Sequence, residues 1–125
     1  MKGRVIQGGE ARGRVLKSSA PLGFFGHVDP ETGLVKEPGH PLEGQSVAGR
    51  ILVFPRTKGS TVGSYILYAL SRNGVAPAAM LLEECEVIVA VGAIIGEIPT
   101  VDELDTGKIP DGARVTVKEG VVTIE

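Results

Sequence analysis

Tryptophan is absent from this 125-residue chain, and three Phe and two Tyr are its only aromatic side chains. Unpaired nucleic-acid bases are held by stacking on aromatic rings, so that role has no platform here. An excess of basic charge is missing too: 13 Lys and Arg stand against 15 Asp and Glu, a net charge of −2. This argues against nucleic acid as a partner, since such binding needs a basic face. Cysteine occurs once, at Cys85. One thiol forms no internal disulfide, and one thiolate holds neither an iron–sulfur cluster nor a structural zinc. The simplest role for Cys85 is that of a small buried apolar residue. Apolar runs long enough to span a bilayer are absent, and Met1-Lys2-Gly3-Arg4 leads straight into a Gly-rich polar segment with no signal-peptide pattern. A cytoplasmic protein without a membrane partner is the expectation.

Hydrophobic residues make up 42% of the chain, enough for a core, and the length suits one domain over residues 1–125. The 18 Gly and 8 Pro are scattered rather than gathered in a linker, which suits short strands and tight turns. Residues 3–16 alternate weakly around Gly8-Gly9 and read as two short strands about a turn. Residues 18–44, with four prolines, read as a long loop. Residues 46–54 read as a central strand bent at Gly49. The next helix is capped by Ser60 or Thr61 and ends near Arg72-Asn73-Gly74. Residues 78–82 follow as a short strand. The run over residues 86–95 is apolar on every face, so periodicity leaves it open between strand and a short buried helix closing at Gly96. A strand over residues 98–101 comes next. At the end, Arg114-Val115-Thr116-Val117-Lys118 and Val121-Val122-Thr123-Ile124 pair about Glu119-Gly120. The fold class is a β-rich mixed α/β domain: a compact, barrel-like sheet with two helices.

The chemistry concentrates in Pro55-Arg56-Thr57-Lys58-Gly59-Ser60-Thr61-Val62-Gly63-Ser64-Tyr65, between a buried strand and a helix. First-turn N–H groups lack intrahelical partners and the helix dipole adds positive potential. Glycine permits close backbone approach to a ligand. Arg56, Lys58, Gly59, Ser60 and Thr61 therefore converge as an anion site, against the blander reading of a capped helix with two solvated cations. The pattern is not a P-loop, whose lysine follows the second glycine. His27 and His40 lie in the long loop and read as exposed, because no third ligand accompanies them. Asp29-Pro30 reads as an Asx turn. Glu83-Glu84-Cys85-Glu86 reads as acidic charge at a helix start, and Asp102, Glu103 and Asp105 as a solvated loop. No metal site is expected in this chain.

Several of these motifs, in order, resemble the swivel domain of the aconitase X family. They are Gly26-His27-Val28-Asp29-Pro30-Glu31-Thr32-Gly33, His40-Pro41-Leu42-Glu43-Gly44-Gln45-Ser46-Val47-Ala48-Gly49, the junction segment from Arg56 to Tyr65, Pro77-Ala78-Ala79-Met80-Leu81-Leu82, and Gly92-Ala93-Ile94-Ile95-Gly96-Glu97-Ile98-Pro99. The resemblance implies a swivelling β/β/α domain with residues 86–95 helical. It implies the small subunit of a hydro-lyase, forming a heterodimer with a large subunit that carries a [4Fe–4S] cluster. The implied reaction is dehydration of (R)-5-phosphomevalonate, a small phosphorylated hydroxy acid, to trans-anhydromevalonate 5-phosphate in an archaeal route to isoprenoids. It also implies Ser60 as the base that takes a proton from carbon, with Arg56 and Lys58 as contacts for a substrate phosphate or carboxylate. Aconitase has an arginine two residues after this serine; here that position is Val62. Two other readings stand beside it: another aconitase X hydro-lyase such as a cis-3-hydroxyproline dehydratase, and a non-catalytic swivelling carrier or binding domain.

Overall fold

The computed structural model describes residues 1–58 and 63–125. Its elements run β1 (Arg4–Gln7), β2 (Glu10–Lys17), β3 (Ile51–Phe54), α1 (Gly63–Arg72), β4 (Ala79–Leu82), α2 (Val87–Ile95), β5 (Thr100–Asp102), a 3-10 turn (Thr106–Lys108), β6 (Arg114–Lys118) and β7 (Val121–Ile124). The strands form one sheet ordered β1-β5-β4-β3-β2-β6-β7. The four strands β2, β3, β4 and β5 are parallel neighbours, and the remaining pairings are antiparallel. The sheet curls until its outer strands meet: Lys2 bridges Val121, and Gly3 donates its N–H to Gly120 O at 3.0 Å. The mixed, barrel-like sheet with two helices expected from the sequence is the fold observed.

All four residues of β3 and of β4 are buried. Alternate side chains of a strand point to opposite faces, so a continuous apolar run means that both faces are covered. Leu52, Phe54, Met80 and Leu82 join one core with Leu67 and Leu70 of α1 and Val89 and Ala93 of α2. Ile51, Val53, Ala79 and Leu81 join the other, with Val115, Val117 and Val122 of the β6–β7 hairpin. The result is three layers: hairpin, central strands, helices. The hairpin turns at Glu119 (φ 52°) and Gly120 (φ 81°). Two successive positive φ values mark the type I′ turn that matches strand twist.

Residues 86–95, open between strand and helix on periodicity alone, fold as α2. The helix packs on α1 at close range. A Cβ on Gly92 would lie 2.7 Å from Leu67 Cδ1 and 3.0 Å from Ser64 Cα, and Ser71 donates its hydroxyl to Gly96 O at 2.6 Å. α1 closes with a Schellman motif: Val75 N–H donates to Leu70 O and Gly74 N–H to Ser71 O, with Gly74 at φ 72°.

Three sequence expectations are corrected. β1 and β2 both form but do not pair with each other; Gly8-Gly9 separates strands that join β5 on one side and β3 and β6 on the other. The strand expected over residues 46–54 is only Ile51–Phe54, because the chain turns at Gly49 (φ 67°), whose N–H donates to Ala76 O. The strand expected over residues 98–101 is displaced to Thr100–Asp102, following the left-handed Glu97. The loop over residues 18–44 has no regular strand, yet Leu22, Phe24, Val28, Val35 and Leu42 are buried in the helix-side core. Phe24 meets Phe54 edge to face, with centroids 6.1 Å apart. The expected Ser60 or Thr61 cap lies outside the described residues.

Gly92→Ala should lower stability by about 1–2 kcal/mol, because overpacking against α1 outweighs the ~1 kcal/mol that alanine gains in helix propensity. Urea denaturation followed by circular dichroism measures it.

Candidate functional site

Parallel pairing brings the carboxyl ends of β2, β3, β4 and β5 to one rim, and both helices begin there. Open parallel sheets place their ligand sites at this edge. The strands extend into it beyond their regular ends. Ser18 N–H donates to Val53 O, Leu22 N–H to Arg56 O at 3.2 Å, and Lys58 N–H to Leu22 O at 3.3 Å. Pro55 O accepts from both Glu83 N–H and Glu84 N–H at 3.1 Å. A Cβ on Gly23 would lie 2.9 Å from Lys58 O, so this close pairing needs glycine there.

Arg56 and Lys58 stand half-exposed on this rim. Arg56 Nε is 3.9 Å from Glu84 Oε2, a long and exposed pairing. Lys58 is held differently: its Nζ lies 2.7 Å from Oε2 of Glu37, a residue of the long loop. The Glu37 side chain is only 13% exposed. Its Oε1 is buried without a hydrogen-bond partner among the described residues, with His27 Nδ1 4.0 Å away. The hydrogen bond from Lys58 holds the Glu37 carboxyl below the usual carboxylate range, against the opposing effect of burial. Sequence reasoning missed Glu37. Its only signal was a carboxylate in a loop that packs like a core, and that packing is not visible in one sequence. Gly59, Ser60 and Thr61, the other expected site residues, lie outside the described residues.

The two histidines differ. His27 is 41% exposed beside Glu37. His40, expected to be exposed, is buried at 6%. Its Nδ1 accepts from Leu42 N–H and its Nε2 lies 3.0 Å from Pro21 O, which can only accept. The proton therefore sits on Nε2, and the ring pins the long loop from within.

Asp102, expected in a solvated loop, is fully buried at the end of β5. Arg4 donates from Nε to Oδ1 at 2.9 Å and from Nη2 to Oδ2 at 2.7 Å, and Cys85 N–H donates to Oδ2 at 2.9 Å. Burial alone would push this carboxyl up; the Arg4 and Cys85 donors overcome it and hold it down. The pair joins β1, β5 and the approach to α2. Burial, followed by the Asp102 charge, pushes the Cys85 thiol up to about 11, so Cys85 remains a neutral packing residue at pH 7. Among the described residues no group of His, Cys, Asp and Glu is placed to hold a metal ion.

A family model, the aconitase X swivel domain, matches residues 1–125. The chain belongs to the aconitase X swivel-domain family. A Thermococcus onnurineus protein named phosphomevalonate dehydratase small subunit is 54% identical over 127 residues, covering 100% of this chain and 98% of that protein. Proteins of the same name from Thermococcus kodakarensis and Methanosarcina acetivorans are 56% and 50% identical, covering 94% and 99% of this chain and 88% and 90% of their own lengths. In solved structures, the chain is similar to the holo form of Thermococcus kodakaraensis aconitase X, with a TM-score of 0.97 and 54% identity over 99% of this chain and 96% of that one. It is also similar to a UPF0107 protein solved by solution NMR, with a TM-score of 0.91 and 46% identity over 100% of this chain and 98% of that one.

Asp102→Asn keeps the shape but loses the charge that Arg4 and the Cys85 N–H share. It should lower Tm by about 5–10 °C at pH 7, as expected when a charge-assisted hydrogen bond is lost from a domain of this size. A depressed carboxylate stabilises the fold above its unfolded pKa of about 3.9, and that contribution disappears as pH falls through the lower folded value. The Tm gap between the two proteins should therefore narrow as pH falls below about 3.9. A gap of constant size across pH would show that charge is not the cause.

Proposed function

We propose that residues 1–125 act as one swivel domain, the small subunit of a phosphomevalonate dehydratase. In this reading the heterodimer converts (R)-5-phosphomevalonate to trans-anhydromevalonate 5-phosphate in the cytoplasm, on an archaeal mevalonate route to isoprenoids. The observation that carries it is identity of 54% across essentially the whole length of a protein bearing that name.

Ser60 is the proposed base. Its oxygen takes a proton from the carbon next to the substrate carboxylate. The electrons of that C–H bond become the new double bond, the neighbouring C–O bond breaks, and proton and hydroxyl together leave as water. A serine hydroxyl is a poor base until its alkoxide is stabilised. Positive potential supplies that: Arg56 and Lys58 flank residues 59–62 on one side and α1 begins on the other. Arg56, with its loose pairing, and Lys58, with Gly59 and Thr61 beside it, are the proposed contacts for the substrate anions. Glu37 sets how much of the Lys58 charge the substrate can use.

With one cysteine in the chain, its own residues do not fit a [4Fe–4S] cluster. The cluster is proposed on the large subunit, where it would bind the leaving hydroxyl. A phosphohistidine carrier is disfavoured: both nitrogens of His40 are engaged within the fold, and neither histidine lies on the segment that leads into α1.

The test is reconstitution with the large subunit and assay for dehydration. Ser60→Ala should lower kcat by about 10³-fold or more, as loss of an activated base implies, while the complex still elutes as one species. Retained turnover would remove Ser60 as the base. Lys58→Met should raise KM by about tenfold, the equivalent of one charge-assisted contact, with a smaller change in kcat. Glu37→Gln should leave KM unchanged or lower it, since it frees the ammonium.

A further inference from the structure

α2 carries no charged residue: its nine residues are Val87-Ile88-Val89-Ala90-Val91-Gly92-Ala93-Ile94-Ile95. A helix that is apolar all round belongs in an interior. Here only one side is inside. Val89, Gly92 and Ala93 are buried against the core and α1, while Val87 is 77%, Val91 44%, Ile94 50% and Ile95 49% exposed. On α1, Ser64 and Leu67 meet Gly92 of α2. Tyr68 follows Ser64 by four residues and so lies at the outer edge of that seam, with Tyr65 one turn before it. They are 42% and 69% exposed.

Tyr65, Tyr68, Val87, Val91, Ile94 and Ile95 thus form one largely apolar face across both helices, with the exposed Arg72, four residues after Tyr68, at its α1 end. They expose on the order of 600–700 Å², above the largest patch of an ordinary monomer and close to the roughly 800 Å² that each partner buries in a standard protein interface. Both helices begin at the rim that bears Arg56 and Lys58, so whatever covers the face also borders the proposed site.

We infer that this two-helix face is the docking surface for the large subunit, with α2 as its centre. The inference rests on the small-subunit reading above and deepens it. A second copy of the chain is the competing occupant. It is disfavoured because the face adjoins a site proposed to be completed by a different chain, and a symmetric contact would cover that rim without supplying what it lacks.

The experiment co-expresses the full chain with the large subunit, and measures co-elution and affinity for V91K/I95K and, separately, for Val87→Lys, the most exposed position. Thr123→Lys, on an exposed position of β7, is the control. Each helix variant should keep its circular dichroism spectrum and bind at least a hundredfold more weakly, while Thr123→Lys binds as the parent does. Parental affinity in both helix variants would overturn the assignment, and so would equal loss in the control. Should V91K/I95K unfold, Val87→Lys alone decides. If the isolated parent chain is a dimer that V91K/I95K turns into a monomer, while binding to the large subunit is unchanged, the occupant is a second copy. If the parent chain does not bind the large subunit at all, the small-subunit reading fails and this inference falls with it.

Discussion

Burial of β3 and β4 on both faces is the constraint from which the rest of the structure follows. Ile51–Phe54 and Ala79–Leu82 contribute alternate side chains to two separate cores. Helices must cover one face and a second sheet layer the other, or eight apolar residues would meet water. Each buried aliphatic side chain is worth about 1.5–3 kcal/mol, so no local preference competes with that arrangement. Parallel pairing of the two strands then requires a crossover between them, which is α1, and pairing with β5 requires another, which is α2. Both helix starts fall at the same rim for that reason alone.

The rim is therefore a product of topology before it is a product of chemistry. Arg56 and Lys58 occupy it because they follow β3, and Asp102 because it ends β5. Charge is balanced locally rather than left open. Lys58 faces Glu37, Arg4 faces Asp102, and Arg56 faces Glu84 at longer range. In the proposed function, the rim offers one guanidinium and one ammonium shared with Glu37, a pair suited to a ligand with two anionic ends.

Much of the architecture was legible in the sequence. Turn chemistry at Glu119-Gly120 and the Arg72-Asn73-Gly74 helix end located the hairpin and the end of α1 correctly, because those signals are local. Partner choice was not legible: β1 and β2 read as neighbours, yet long-range pairing with β5 and β3 won. Residues 86–95 could not be settled by period because both their packing and their open face are apolar. The misread polar residues share one cause. His40 and Asp102 sit among glycine, proline and acidic neighbours that suggest solvent, while their burial depends on distant partners, Pro21 and Arg4. Glu37 escaped notice for the same reason, its partner Lys58 being 21 residues away.

The long segment over residues 18–44 has no regular helix or strand, but five of its apolar side chains and one histidine are inside. Its tolerance of sequence change is accordingly that of a core, not of a connector. Insertions accepted by ordinary surface loops would here displace Phe24 from Phe54 or His40 from its two backbone partners. Variation in its length would thus be a change to the protein's interior, and would carry Glu37 away from Lys58 as it did so.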